Sequence, residues 1–384
     1  MHTKNSFKSK TIGIIGGGQL ARMTALAAYR IGLQVAILDP ESGSPAGQIA
    51  HLQLVGSLND ISMLEELARA SDLITLENEF VDAPLLKHLE SIGIPVLPTA
   101  HTVGLIQDKL LQKLTLEESG IGVPHFMGVS TPDDVYKAGK DFGWPLLLKT
   151  RRNGYDGRGN VLIKEPNKVH LSLRTLEGTK SLLMVEAFIP FRKEIAVMVA
   201  RNNSGEIVTY SVAETIQKDH ICHIVKVPAN ISECVSKEAS KLARQAIESV
   251  DGVGIFGVEM FLLEDDRIFI NELAPRPHNS GHYTIDACIT SQYENHLRAI
   301  LGLPLGTPDM ISPASVMVNL LGVREGVANV NGLENALRTP ATYVHIYGKR
   351  LTRPGRKMGH VTALGQNTEE ALEKAKSAAS FISF

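Results

Sequence analysis

The sequence predicts a mixed α/β and α+β chain: a parallel-sheet unit first, an antiparallel α+β centre, and a small β-rich C-terminal segment. Three observations carry this. Through residue 100, short apolar runs alternate with helical patterns, which is the rhythm of βαβ units and of a parallel sheet. Beyond it, strands follow one another directly, and residues 255–273 read as a hairpin. After Gly302-Leu303-Pro304-Leu305-Gly306 the strands shorten. With 384 residues, 43% of them hydrophobic, the chain can fill two to three cores at roughly 150 residues each.

Residues 11–15 form a β-rich run into Gly16-Gly17-Gly18, and a helical pattern covers 20–28. A strand at 34–38 ends in Asp39-Pro40, followed by a helix at 61–70, a strand at 73–76 and a helix at 83–91. Residues 94–98 read as this unit's last strand, with Pro95 and Pro98 marking the exit. A polar helix at 103–119 opens the centre. Strands at 145–149, 182–187, 194–200, 207–212 and 220–227 precede a helix at 237–250 and the hairpin. The C-terminal segment holds strands at 315–321, 342–347 and 349–352, then a helix capped by Asn367 with Glu370 at its third position.

Composition excludes several classes. Lys and Arg number 39 against 41 Asp and Glu, a near balance that argues against a general binder of nucleic acid or of an anionic membrane surface, which would need a strong positive field. Cys222, Cys234 and Cys288 are odd in number and far apart, which fits a reducing compartment without disulfides. No window approaches the ~18 apolar residues of a membrane span. The N-terminal apolar stretch, only Ile12 to Ile15, is too short for a secretion signal. A soluble, cytoplasmic protein is expected.

Five groups of residues carry chemistry. Gly16-x-Gly18-x-x-Ala21 joins a strand to a helix, and Asp39 ends the next strand. That pattern fits a dinucleotide fingerprint, a site for another phosphate ester, or a tight structural turn. Residues 151–159, Arg-Arg-Asn-Gly-Tyr-Asp-Gly-Arg-Gly, follow a strand ending in Lys149. Such a loop can fold its amides and guanidinium groups over a polyphosphate, or be a solvated hairpin tip. In the hairpin, a two-residue turn at Asp265-Asp266 makes facing positions sum to 531. Glu259 then faces Glu272, on one side with Phe261 and Ile270. Opposed carboxylates repel unless a hard cation such as Mg²⁺ lies between them, one is protonated, or one pairs with Arg276. Finally, Arg276, His278, Asn279, Ser280 and His282 crowd the hairpin's exit, where they could hold a small anion. Lys349, Arg353, Arg356 and Lys357 form a separate basic patch, either a second phosphate site or a solvated turn.

The runs GIIGGGQLARM, KTRRNGYDGRGN, NELAPRPHNSGHYTIDAC and HIYGKRLTRPGRKMGHV resemble the N5-carboxyaminoimidazole ribonucleotide synthases of purine biosynthesis, members of the ATP-grasp superfamily, over nearly the whole chain. The resemblance implies an ATP-grasp fold with a Rossmann-like, biotin-carboxylase-type N-terminal domain (1–102), an ATP-grasp centre (103–305, with a mobile subdomain at about 125–190) and a small C-terminal domain (306–384). It implies an ATP-dependent ligase that carboxylates 5-aminoimidazole ribonucleotide with bicarbonate through carboxyphosphate. MgATP is required, with neither nicotinamide nor biotin, and the expected assembly is a homodimer.

By the same resemblance, Lys109, Lys149, Gly154, Tyr155, Asp156, Gly157, Arg158, Gly159 and Asn160 bind or cover ATP. Glu186, Ala187, Phe188 and Ile189 line its adenine, and Glu194, Gln217, Asn271 and Glu272 complete the nucleotide site. Glu259 and Glu272 hold the metal. Gly18, Gln19, Leu20, Glu77, Lys349, Arg356 and Lys357 bind the ribonucleotide, and Tyr155, Asp156, Arg276, His278 and Lys349 surround the reacting groups. Asp39 then has no dinucleotide role. One departure stands out: many relatives read Asn-Ile-His after the position of Glu214, where this chain reads Thr215-Ile216-Gln217. Gln217 can replace a hydrogen bond of that imidazole but not its charge. The alternatives are another acyl-phosphate ligase of the superfamily, an NAD(P)-dependent oxidoreductase, and a non-catalytic nucleotide-binding protein.

Overall fold

The structure, a computed structural model, describes residues 10–154, 159–177 and 182–384. Four parallel strands form the N-terminal sheet in the order Leu52–Val55, Gln34–Asp39, Thr11–Ile15, Leu73–Leu76. Alternate residues feed two cores. Ile12, Ile14, Val35 and Ile37 pack under helix Gln19–Arg30, while Ile15, Ala36, Leu38 and Leu76 pack against helices Ile61–Arg69 and Ala83–Ser91. Burial on both faces is why these strands read as unbroken apolar runs. Residues 94–98 are not the strand expected of them. Only Val96 bridges Ile74, because Pro95 and Pro98 have no N–H to give to a ladder. The edge strand Leu52–Val55, half exposed, escaped the sequence pattern.

The helix expected over 103–119 is two helices, Ala100–Gln107 and Lys109–Glu118. Asp108 lies between them in extended conformation and caps the second by accepting from the Leu110 and Leu111 amides. Next comes an antiparallel sheet in the order Phe126–Val129, Leu183–Ala187, Leu146–Thr150, Asn160–Ile163, with helices Pro132–Phe142 and Val169–Glu177 against it. The sequence reading placed two of these six elements.

A nine-stranded sheet takes up most of the remainder of the described residues, and Gly326–Val327 pairs with Leu351–Thr352, the part of the expected 349–352 strand that forms, in a separate two-stranded sheet. The nine-stranded sheet runs Ile268–Ala274, Gly254–Leu262, Lys193–Arg201, Ala213–Lys218, Ile221–Val227, Ala314–Leu321, Lys357–Gly365, Thr342–Ile346, with Ile207–Thr209 on the side of Lys193–Arg201. Ala213–Lys218 and Lys357–Gly365 were not foreseen. The C-terminal strands continue the central sheet through pairs such as Val225↔Met317. Helix Glu233–Ser249 covers its main core. The closing helix Thr368–Ser380 is capped by Asn367, which accepts from the Glu370 amide. Among the described residues no helix is long and apolar enough to cross a membrane.

Candidate active site

A cleft of about 820 Å³ opens where the N-terminal sheet, both central sheets and the C-terminal hairpin meet. Gln19, Leu20, Glu77, Lys109, Lys149, Gly154, Asn160, Glu194 and Gln217 line it, as do residues 186–189. So do Glu259, Asn271, Glu272, Arg276, His278, Lys349, Arg356 and Lys357. Gly18 and Gly159 are not among the lining residues; Gly18 is the N-cap of helix Gln19–Arg30, and Gly159 has φ +79°. Tyr155, Asp156, Gly157 and Arg158 lie outside the described residues.

One end is built on a buried charge group. Glu186, on strand Leu183–Ala187, receives Lys149 Nζ at 2.8 Å and Lys113 Nζ at 3.2 Å. Burial would push the Glu186 carboxyl up, but the two lysines outweigh it and hold it below its ordinary value. Burial drives Lys113 down to about 8 against the pull of Glu186. Lys113 was missed because a lysine in an amphipathic helix reads as solvent-facing; in the structure its side chain is 2% exposed. Asp108 forks Arg151, with Nε at 2.8 Å and an Nη at 2.7 Å, tying the start of the Gly-rich loop to the helix that carries Lys109.

The hairpin delivers the opposed carboxylates by a different route from the one expected. Its turn holds three residues, not two. The Leu263 N–H donates to the Arg267 carbonyl at 2.9 Å, and Asp266 has φ +67°. Facing positions near the turn therefore sum to 530, as in Phe261↔Phe269. A β-bulge between Glu259 and Met260 restores Glu259↔Glu272. The two deviations cancel at the pair that matters. The bulge also turns Ile270 into the apolar core, not beside Glu259, and brings both Asn271 and Glu272 to the cleft.

Lys109 pairs with Glu272, whose carboxyl is held low despite its burial. Arg276 is not the partner. It binds Glu79 from the N-terminal unit through two donors, the second at 3.0 Å. Glu259 has burial, then Glu272, then Glu194 pushing its pKa up. The Asn271 side-chain oxygen is buried with no hydrogen-bond partner. Two carboxylates and an amide oxygen in want of a partner suit a hard, oxygen-seeking cation.

His278 sits beside them, Nε2 at 3.3 Å from Glu259 and Nδ1 at 2.8 Å from Ser280 Oγ. Burial and then Arg276 push it down to about 3, so the ring is neutral near pH 7. Gln217 hydrogen-bonds Glu194, whose pKa burial raises.

At the other end, the glycine cluster is tied up internally. Gly17 N–H donates to Asp39 at 2.7 Å, and Leu20 N–H to Glu77 at 3.3 Å. Asp39 therefore serves its own loop, where a dinucleotide reading would put it on a ribose. Lys349 Nζ donates to the Lys357 carbonyl at 2.8 Å, and an Arg356 Nη to the Leu351 carbonyl at 2.7 Å, which folds the basic patch into a compact hairpin facing Glu77 across the cleft.

Residues 9–107 match a ribonucleotide synthetase preATP-grasp domain, 114–293 an ATP-grasp domain, and 315–374 a phosphoribosylaminoimidazole carboxylase C-terminal domain. The phosphoribosylaminoimidazole carboxylase of Ogataea methanolica is 44% identical over 94% of this chain, but the chain spans only 67% of that longer relative. A solved structure of N5-carboxyaminoimidazole synthase from Aspergillus clavatus, in complex with ADP and 5-aminoimidazole ribonucleotide, is 36% identical with a TM-score of 0.89, over 98% of this chain and 99% of that one. The N5-carboxyaminoimidazole ribonucleotide synthase of Synechococcus elongatus is 39% identical over 95% of this chain and 92% of its own. With matches of that extent at both ends and the centre, the chain belongs to the N5-carboxyaminoimidazole ribonucleotide synthase family of ATP-grasp enzymes.

Proposed function

We propose that this chain is an ATP-dependent ligase that carboxylates 5-aminoimidazole ribonucleotide with bicarbonate, releasing ADP and phosphate. The observation that carries the reading is the single cleft. It joins a lysine-rich, carboxylate-paired end suited to a nucleoside triphosphate to a basic hairpin suited to a second phosphate ester. ATP would lie with its adenine against residues 186–189, its ribose near Glu194 and Gln217, and its phosphates at Lys109 and Lys149 under the loop of residues 154–160. Glu259, Glu272 and Asn271 would hold Mg²⁺, which when bound neutralises phosphate charge.

The chemistry follows from placement. A bicarbonate oxygen takes the γ-phosphoryl group and ADP leaves. The exocyclic amine then attacks the carboxyl carbon as its bond to the phosphate oxygen breaks, and the amine sheds a proton. Arg276, fixed by Glu79, supplies positive charge to the carboxyphosphate. His278, neutral, offers hydrogen bonds rather than charge. Tyr155 and Asp156 belong to the same reacting region by resemblance. The ribonucleotide phosphate would bind Lys349, Arg356, Lys357 and the helix start at Gly18, Gln19 and Leu20, with Glu77 at the ribose. A homodimer in the cytoplasm belongs to the same reading, and light scattering at micromolar concentration checks the dimer.

The test is ADP release with each substrate omitted in turn. Release is expected to require both bicarbonate and 5-aminoimidazole ribonucleotide. Release that needs neither, or an absorbance change that needs nicotinamide, would sink the reading.

A further inference from the structure

Beside the cleft lies a partly buried polar cluster with no place in the chemistry above. His345, on strand Thr342–Ile346, faces His360 of strand Lys357–Gly365 directly across the ladder. Their rings stack with centroids 4.4 Å apart and planes at 15°. His345 Nε2 lies 2.7 Å from Asp286 Oδ2, and these side chains are 24% and 10% exposed. A carboxylate and an imidazole this sheltered from water lose hydration that their mutual contact has to offset, and an apolar pair would do as well for stability alone.

The cluster stands between two working parts of the cleft. Asp286 follows His278 by eight residues, on the short helix Thr284–Ala287. His278 is itself pinned through its backbone, its N–H to Gln292 Oε1 at 2.9 Å and its carbonyl to Gln292 Nε2 at 2.8 Å. His345 precedes Lys349 by four residues. Between these two, the Tyr347 hydroxyl meets His360 Nδ1 at 2.9 Å, and Lys349 Nζ lies 5.8 Å from the Tyr347 ring centre. The His282 ring closes the set, 4.9 Å from His360. Burial keeps His282 and His360 neutral.

Asp286, His345 and His360 also bring ligand atoms within 4.8 Å of one another, the spacing of a metal site. The stacked rings argue against that use. Near-parallel imidazoles send their in-plane lone pairs side by side instead of converging on one ion, and His345 Nε2 already engages Asp286.

We propose that Asp286 and His345 are positioning residues. Their pair fastens the strand end that carries Lys349 to the segment that carries Arg276 and His278, and so sets the ribonucleotide end of the cleft against the carboxyphosphate end. This rests on the functional reading given above.

The variants D286A, D286N and H345Q test it, with ATP and ribonucleotide varied separately. Lys349 acylation by acetic anhydride is followed in parallel by peptide mass spectrometry without substrates. In D286A, the KM for ribonucleotide rises about tenfold and kcat falls, while the KM for ATP stays within about twofold. Lys349 is acylated about threefold faster once its hairpin is unfastened. D286N, which keeps the shape and one hydrogen bond, lies between D286A and the parent, and together with H345Q it decides the matter if D286A does not fold. Equal rises in both KM values, or unchanged kinetics and labelling, would overturn the proposal. A parent enzyme indifferent to the ribonucleotide would sink the functional reading instead, and the labelling would still report on Lys349.

Discussion

Lys349 has its charge poised near neutral pH. Burial first, and then Arg356, pull its pKa down to about 7, with Glu77 drawing it partly back. The folded chain thus sheds near pH 7 a proton that the unfolded chain keeps to about 10.5. Over that window the unfolded state binds more protons, so this residue makes stability rise with pH, while below about 7 its buried charge counts against the fold. Binding of a phosphate ester runs the other way, because it wants the ammonium form. The KM for 5-aminoimidazole ribonucleotide should therefore rise at least about threefold from pH 7 to 8.5, with the KM for ATP flat. In Lys349→Gln the bend should vanish and the KM stay high throughout. A parent profile without the bend would mean that Lys349 is charged throughout or does not meet the phosphate.

At the scale of elements, Asp108 does two jobs at the break between helices Ala100–Gln107 and Lys109–Glu118. It caps the second helix and forks Arg151, and the substitutions Asp108→Asn and Asp108→Ala separate the two. Losing the cap costs about 1 kcal/mol, and leaving the partly buried Arg151 without its carboxylate adds about 1–3 kcal/mol. Urea unfolding should show Asp108→Ala down by the sum and Asp108→Asn by the second part alone. In both, the KM for ATP should rise as the Gly-rich loop loses its anchor. If Asp108→Asn unfolds with the parent, the fork contributes nothing. This break also shows what a sequence can and cannot convey. Strands buried on both faces, the Asn367 cap and the facing pair Glu259–Glu272 were legible because each rests on local pattern. The pair was found even though its turn and bulge were not, since one extra residue in each cancels. Glu79, Lys113 and Asp286 were illegible. Their roles depend on partners 197, 73 and 59 residues away, which no periodicity encodes.

Over the whole molecule, the three sequence segments share cores. Tyr293, Leu297 and Ile300, from helix Gln292–Ile300, pack into the N-terminal core under helix Gln19–Arg30. His296, on the same helix, meets Thr75 Oγ1 at 2.9 Å through Nε2 and accepts from the Ile255 amide at 3.2 Å through Nδ1, bridging the N-terminal sheet to the large one. At the other boundary, strand Ile221–Val227 pairs with Ala314–Leu321, and Asn319 donates to the Cys222 carbonyl at 2.9 Å. Met317 sits in one core with Met198, Val225 and Tyr283. A chain ended after residue 305 would expose strand Ile221–Val227 as an unpaired edge and open that core, a combination that invites edge-to-edge association. Such a chain should be recovered as aggregate, and adding residues 306–384 as a separate polypeptide during refolding should raise the soluble yield by completing the sheet. A truncated chain that stays monomeric and melts at the parent's temperature would show that the C-terminal strands are an appendage. The expected outcome makes the cleft a property of the whole: Lys349 reaches it from the connection between Thr342–Ile346 and Lys357–Gly365, two strands of the sheet that also carries Glu259 and Glu272.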